Sequence, residues 1–308
     1  MYENKFKAKI GAGETAFGFY LYFPSPELVE FMGHVGFDYA LIDAEHFAFS
    51  METIQGLARA AQLTGMTPLA RMPKNDQELI LGYLETGVQG VVIPHTNTAE
   101  DACAAVRAVK YYPLGDRGAG SRSRAANYGL TQGATEYFEE ANRQTVVIAL
   151  VEEPEGFRNL PEILDVEGVD CVSLGSGDLA MSMGYPGQSD HPEVQSLIQQ
   201  AKAQIKASNK VLGATLSSGE AARKARADGA LYITLSLGDL LGRTVREFLA
   251  RARADGIPSI IGIQLPTPDW GLMLTNARNN LFTAPWTALF PGLAISLAVT
   301  GFNFMGDG

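Results

Sequence analysis

The sequence predicts an α/β fold, a (β/α)8 or TIM barrel over residues 1–255 with an atypical apolar tail at 256–308. Short apolar runs alternate with longer segments of helical period as far as about residue 254, the mark of repeated βα units and a parallel sheet. Eight such units can be counted, the number that closes this barrel. An open doubly wound sheet is the alternative, but it usually carries a glycine fingerprint after the first strand, and here that position reads YFPSPE.

The strands are expected at Phe17–Tyr22, Tyr39–Ile42, Thr67–Ala70, Gly90–Ile93, Val146–Val151, Cys171–Leu174, Val211–Thr215 and Leu231–Leu235. Helical stretches fall between them at Met51–Leu63, Asp76–Glu85, Ala99–Val109, Pro192–Ser208 and Gly219–Ala227, several with glycine near the end where a left-handed cap is needed. The longest interruption, Lys110–Gly129, is rich in Gly, Arg and Ser and is expected to serve function.

At 308 residues, 46% hydrophobic and 19% charged, the chain has the composition of a globular enzyme. Its net charge of -10 argues against nucleic acid or an anionic membrane as partner, since both select for basic clusters. The charged N-terminus, MYENKFKAKIGAGE, lacks the apolar run of a signal peptide, so a cytoplasmic location is expected. The two cysteines, Cys103 and Cys171, form no ligand or disulfide pattern and read as buried small hydrophobes.

The tail departs from the pattern. No charge occurs from Asn279 to Gly306, 28 residues, long enough to span a bilayer. It resembles the C-terminal end of peptide-type ABC transporter permeases in its PTPDWGLML, ARNNLFTAPW and LFPGLA runs, which points to a fusion or a frameshifted junction. A membrane-associated subunit is the reading it would support.

Catalytic groups of such a barrel project from the C-terminal ends of the strands. The second strand runs into Asp43, Glu45 and His46; the third ends in Arg71; the fourth in His95; the fifth delivers Glu152 and Glu153; the sixth leads through Gly175-Ser176-Gly177 to Asp178. Glu152 and Asp178, from consecutive strands, would converge as two oxygen ligands for a hard divalent ion, Mg2+ or Mn2+, with Co2+ a further option. Helix capping by Asp178 is the plainer alternative. Such an ion would act as a Lewis acid on an α-keto acid. Arg71 would face the oxygen on which negative charge develops, or else form a salt bridge at the rim. His46, three residues after Asp43, is a candidate acid/base group whose ring Asp43 would orient. His34 reads as a helix-end residue and His191 as a loop or cap, while His95 is ambiguous. Lys74 as a Schiff-base lysine is disfavoured because Asn75 and Asp76 follow at once. Gly118-Ala119-Gly120 lacks the following Lys-Ser/Thr of a phosphate loop.

From about Phe17 to Arg253 the chain resembles the class II, metal-dependent pyruvate aldolases of the HpcH/HpaI family, which includes 4-hydroxy-2-oxoheptanedioate aldolase and 2-keto-3-deoxy sugar acid aldolases. The motifs are GFDYALIDAEH, LARMPKND, YYPLGDRGAGSRSRA, ALVEEPEGFRNLPEILDVEGVD and SLGSGDLAMSMG. The resemblance implies a phosphoenolpyruvate/pyruvate-type barrel that reversibly cleaves a 4-hydroxy-2-oxo acid into pyruvate and an aldehyde, in aromatic or sugar acid catabolism. It implies Glu152 and Asp178 as metal ligands, Arg71 on the pyruvyl oxygen, and His46 with Asp43 as the base system. Backbone amides around Gly175 and Ser176 would hold the substrate carboxylate and Leu216 would line the pocket. Glu85 matches a carboxylate near a subunit interface, with Glu45 left beside the site, and the assembly implied is a homohexamer. Leu150 stands where some members carry glutamine, and GSGD where GPAD or GPGD is common. A carbon–carbon lyase acting on a CoA thioester, of the citrate-lyase-β-like type, is the alternative, with Arg117, Arg122 and Arg124 as its basic cluster.

Overall fold

Eight parallel strands close into a barrel in sequence order in the computed structural model, which describes residues 1–253. They are β1 (Ala16–Leu21), β2 (Tyr39–Asp43), β3 (Thr67–Arg71), β4 (Gly90–Ile93), β5 (Val146–Val151), β6 (Cys171–Leu174), β7 (Val211–Leu216) and β8 (Tyr232–Leu235). Pairing of β1 with β8, Gly18 opposite Thr234, completes the ring. The helices are α1 (Lys5–Gly11), α2 (Pro26–Val35), α3 (Met51–Leu63), α4 (Gln77–Glu85), α5 (Ala99–Val109), α6 (Ala134–Gln144), α7 (Pro154–Arg158), α8 (Leu160–Leu164), α9 (Ser176–Ser182), α10 (Pro192–Ala207), α11 (Gly219–Ala227) and α12 (Leu237–Arg253). Local chemistry sets where they start. Ser25, Ser50, Asp76 and Ser218 each accept a first-turn amide, and Thr98 with Asp101 forms a capping box.

Parallel strands packed on both faces must be apolar on both, which is why β2, β4 and β5 are buried along their whole length. One set of residues fills the barrel: Tyr39, Leu41, Leu69, Val92, Ile148 and Tyr232 pack there, and Phe6 of α1 plugs the end with its ring 5.0 Å from that of Tyr39. The alternate set, including Phe19, Ile42, Val91 and Val147, packs against the helices. Gly18 leaves space for the Tyr39 ring, since a Cβ there would lie 2.2 Å from it. The Tyr39 hydroxyl, deep in the barrel, is satisfied by Thr234 at 2.8 Å.

Three expectations change. The Lys110–Gly129 segment follows α5, so it starts at the end of the barrel opposite the C-terminal ends of the strands, and it runs along α4, where the Asp116 carbonyl accepts from Gln77 and Arg117 pairs with Glu85. It packs a satellite core of Tyr111, Ala125, Ala126 and Tyr137 and includes a 3-10 turn at Arg124–Gly129. Cys103 is exposed rather than buried, because it falls on the outer side of α5; Cys171 is buried in the barrel. β2 and β3 each run one residue beyond the expected bounds and take in Asp43 and Arg71.

One compact unit spans Met1–Gly242; a second begins at Arg243. The expected boundary near residue 255, and the permease-like stretch, lie outside the described residues. Among the described residues no helix is long and apolar enough to cross a membrane.

Candidate active site

Asp43 and Arg71 are register partners at the ends of β2 and β3. That placement lets the guanidinium meet the carboxylate as a fork: Arg71 Nε donates to Asp43 Oδ1 at 2.9 Å and Nη2 to Oδ2 at 2.6 Å. Nη1 lies 3.2 Å from Glu45 Oε2, and the guanidinium stands 5.3 Å from the Tyr20 ring centre. Burial works against the charge on Arg71, but its bond to Asp43 and the negative groups around it raise its pKa above the ordinary arginine value. It is a permanent cation at the base of the mouth.

The same fork corrects one expectation. Asp43 Oδ1 also accepts the backbone N–H groups of Glu45 (3.3 Å) and His46 (3.4 Å), so its carboxylate fixes the turn after β2 and does not orient the His46 ring. The nearest carboxylate to that ring is Glu45, with Oε2 3.8 Å from His46 Nε2. The ring is 55% exposed, placing it at the rim where it can exchange protons with solvent.

Glu152 follows β5 and is only 2% exposed. Burial pushes its pKa up to about 7; the His95 amide, donating to Oε1 at 3.0 Å, opposes this, while the charges of Asp178 and Glu45 add to it. Asp178 sits in the first turn of α9. It lines, with Glu152 and Arg71, a cavity of about 280 Å³ at the C-terminal mouth. Tyr20 and Tyr22 of the first strand and its extension, Ser173 of β6 and Thr215 of β7 complete the polar wall. The Tyr20 hydroxyl, pushed up to about 12 by burial, is a neutral donor at physiological pH. Asp43, Glu45, Glu152 and Asp178 thus bring four carboxylates to this mouth against the one guanidinium of Arg71. A buried oxygen-rich cluster with this negative excess fits a hard divalent cation.

The other predicted residues fall as follows. Gly175 lines the cavity, but its amide donates to the Val151 carbonyl at 2.9 Å and is spent on the barrel. Ser176 is the first residue of α9, where an N–H has no intrahelical acceptor, so its amide is the one of the pair left for a carboxylate. Leu216 lines a different, apolar groove with Phe37, Ala222 and Leu235. Strand parity is the reason: Gly213 and Thr215 face the barrel interior, so Leu216 faces out. Glu85 ends α4, at the opposite end of the barrel, and pairs there with Arg117 at 3.0 Å. Arg117 is 1% exposed and Arg124 donates to the Thr86 carbonyl and to Gln62. Those two arginines brace the Lys110–Gly129 segment, which leaves Arg122 as the exposed member of the expected cluster of three. Lys74 is exposed and paired with Asp76 at 3.0 Å, without the apolar surroundings of a Schiff-base lysine. His34 lies in the last turn of α2, and His191 caps α10, accepting from the Glu193 amide at 3.3 Å. A larger hollow of about 840 Å³ lies at the opposite end, lined by residues preceding β6 and β7, among them Lys7, Asp170 and Lys210.

Two features went unread in the sequence. The tyrosines at 20 and 22 share the inward parity of the first strand, a signal visible in FYLYF once parity is tracked through its end. His95 occupies a left-handed backbone, φ 50°, and its ring meets both Glu153 and Glu45.

A closed parallel barrel whose C-terminal mouth gathers carboxylates round one buried guanidinium has the frame of a barrel enzyme. Residues 16–238 match the family model HpcH/HpaI aldolase/citrate lyase, and the chain belongs to that family. Over 251 residues, 81% of this chain and 95% of the relative, it is 37% identical to 4-hydroxy-2-oxo-heptane-1,7-dioate aldolase of Escherichia coli. Among solved structures it is similar to an HpcH/HpaI aldolase/citrate lyase family protein from Burkholderia cenocepacia J2315, with 29% identity and a TM-score of 0.76 over 82% of this chain and 100% of that one. It is also similar to the citrate synthase SbnG, with 28% identity and a TM-score of 0.73 over 82% and 98% of the two chains.

Proposed function

We propose that the protein is a divalent-metal-dependent aldolase that reversibly cleaves a 4-hydroxy-2-oxo acid, such as 4-hydroxy-2-oxoheptanedioate or a 2-keto-3-deoxy sugar acid, into pyruvate and an aldehyde. The observation that carries this reading is the cavity in which Glu152, Asp178 and Arg71 meet. Glu152 and Asp178 would hold the cation, Mg2+ or Mn2+ by the hardness of the donors. When bound, it supplies Lewis acidity toward the 2-oxo acid group.

The chain's own residues divide the rest. Arg71, held rigid by Asp43, presents a fixed positive charge where negative charge grows as the C3–C4 bond breaks. His46 at the rim takes the 4-hydroxyl proton through water, with Glu45 Oε2 3.8 Å from its Nε2. Ser176 offers its amide to the substrate carboxylate, and Tyr20 offers a donor that stays protonated. The apolar wall at Leu150 leaves the aldehyde end fewer polar partners than a glutamine would.

Pyruvate release across a panel of 4-hydroxy-2-oxo acids, with chelator and with added Mg2+, Mn2+ or Co2+, tests the reading. Glu152→Ala and Asp178→Ala should each abolish it, and turnover surviving both substitutions and chelation would remove the metal from the mechanism.

A further inference from the structure

We propose that Glu45, His95 and Glu152 form a second divalent-cation site beside the first, with an imidazole ligand that selects a borderline ion such as Co2+ or Zn2+. One ligand atom from each residue can be chosen so that all three lie within 4.8 Å of one another. Each atom comes from a different strand end: Glu45 beyond β2, His95 beyond β4 and Glu152 beyond β5.

The arrangement is built rather than incidental. A metal-binding imidazole usually donates its other ring N–H to a carboxylate, which fixes tautomer and orientation. His95 does this already: Nδ1 lies 2.8 Å from Glu153 Oε1, and Glu153 Oε2 is held in turn by Asn97 Nδ2 at 2.8 Å. With Nδ1 as the donor, Nε2 carries the free lone pair and faces Glu45 Oε1 at 3.5 Å, while Glu152 Oε1 stands 3.6 Å from Nδ1 along the same ring. Two ligands each ~2.1 Å from a tetrahedral ion stand ~3.4 Å apart, so this gap matches a shared cation. The backbone of His95 is held at φ 50° by its amide's bond to Glu152 Oε1, a conformation a non-glycine residue adopts only when its surroundings impose it. Glu45 Oε2 is buried with no hydrogen bond and faces Arg71 Nη1 at 3.2 Å, so Oε1 is the oxygen turned to the site.

Glu152 faces both ways. Oε1 is on the His95 side, whereas Oε2 is the oxygen that a Cβ on Gly175 would approach to 2.7 Å, on the α9 side where Asp178 stands. One carboxylate bridging two cations is a common device in two-metal sites. Nitrogen in the donor set separates the two by ion type, since imidazole suits Zn2+ and Co2+ while an all-oxygen set suits Mg2+. The site shares Glu152 with the proposed mechanism but stands without it, because loss of Asp178 leaves its three ligands in place.

The test uses the full chain, stripped with chelator and dialysed against Co2+, reading bound ions per chain and the visible absorption of Co2+. The wild type should bind two ions. Asp178→Asn should keep one, with the spectrum of a nitrogen-containing site. His95→Gly should lose that spectrum, glycine being chosen because it adopts positive φ freely. Glu153→Gln, which leaves all three ligands, should weaken that ion tenfold or more. A wild type binding one ion, a His95→Gly protein that keeps the nitrogen-type spectrum, or an Asp178→Asn protein that binds none overturns the proposal. The first or last result, with activity still metal-dependent, would leave the aldolase reading intact.

Discussion

Arg71 is held by a planar fork that a compact cation cannot imitate, and its remaining N–H groups are left for the developing charge. Nε and Nη2 are fixed on Asp43 and Nη1 faces Glu45, so its position depends on the planar fork as well as on the charge. Arg71→Lys is therefore expected to lower kcat about a hundredfold, the scale of losing one preorganised donor at a developing charge, with a much smaller change in KM. Steady-state kinetics with one 4-hydroxy-2-oxo acid check this, and a change confined to KM would assign Arg71 to ground-state binding. Glu152 carries a pH signature. In the metal-free protein it holds its proton to about pH 7, whereas a glutamate in the unfolded chain releases it near 4.5. Between those values the folded state binds the extra proton, so stability falls as pH rises from about 4.5 to about 7, by on the order of 3 kcal/mol. Glu152→Gln, neutral throughout, should flatten that slope in urea unfolding with chelator present; an unchanged slope would assign the pH dependence to other groups. Which residues gather at the mouth was legible because charge breaking out of an apolar strand is a strong signal, as at Arg71 and Glu152. Who pairs with whom was not. The Asp43–Arg71 fork depends on the register of β2 against β3, which sequence spacing does not encode.

At the scale of the element, the start of α9 decides how closely two strand ends can approach. A Cβ on Gly175 would lie 2.5 Å from the Glu152 Cβ, an atom that cannot swing aside, whereas one on Gly177 would meet nothing within 4 Å. Gly175→Ala should cost roughly 1–3 kcal/mol of stability by overpacking and weaken divalent-cation binding as Glu152 is displaced. Gly177→Ala, inside the same helix, should be neutral or stabilise by up to about 1 kcal/mol. Denaturant midpoints and metal titration of the pair separate the contact from the helix, and equal effects at both positions would discard the close-approach account. The strands were legible to within a residue or two, since β4 and β5 are continuous apolar runs of strand length. Parity and face were harder to read. The family resemblance implied Leu216 in the pocket, yet one residue of alternation turns it into the apolar groove beside α11. The segment after α5 was expected at the functional face from its length, whereas its place after a helix starts it at the other end of the barrel, with Arg117 buried against Glu85.

For the molecule as a whole, the chain carries a net charge of -10 and concentrates part of that excess at one end of the barrel. Carboxylates at the ends of β2, β5 and β6 repel one another across the mouth, so the strands that close the ring there are held against a local electrostatic cost. A cation binding the native mouth, and not the unfolded chain, relieves that repulsion and stabilises the barrel by mass action. At a free concentration one hundred times its Kd the gain is about 2.7 kcal/mol. For a unit the size of Met1–Gly242 this corresponds to a rise in Tm of about 5–10 °C. Differential scanning calorimetry in chelator and in graded Mg2+ or Mn2+ should show that rise in the wild type and its loss in Asp178→Asn, which removes a carboxylate without removing Glu152. The apo form of Asp178→Asn should also melt higher than the apo wild type, because one of the repelling charges is gone while the fold is unchanged. A Tm that ignores added cation in the wild type, or an Asp178→Asn protein less stable than the wild type without metal, would mean that the anionic mouth is balanced within the chain and has no need of an ion.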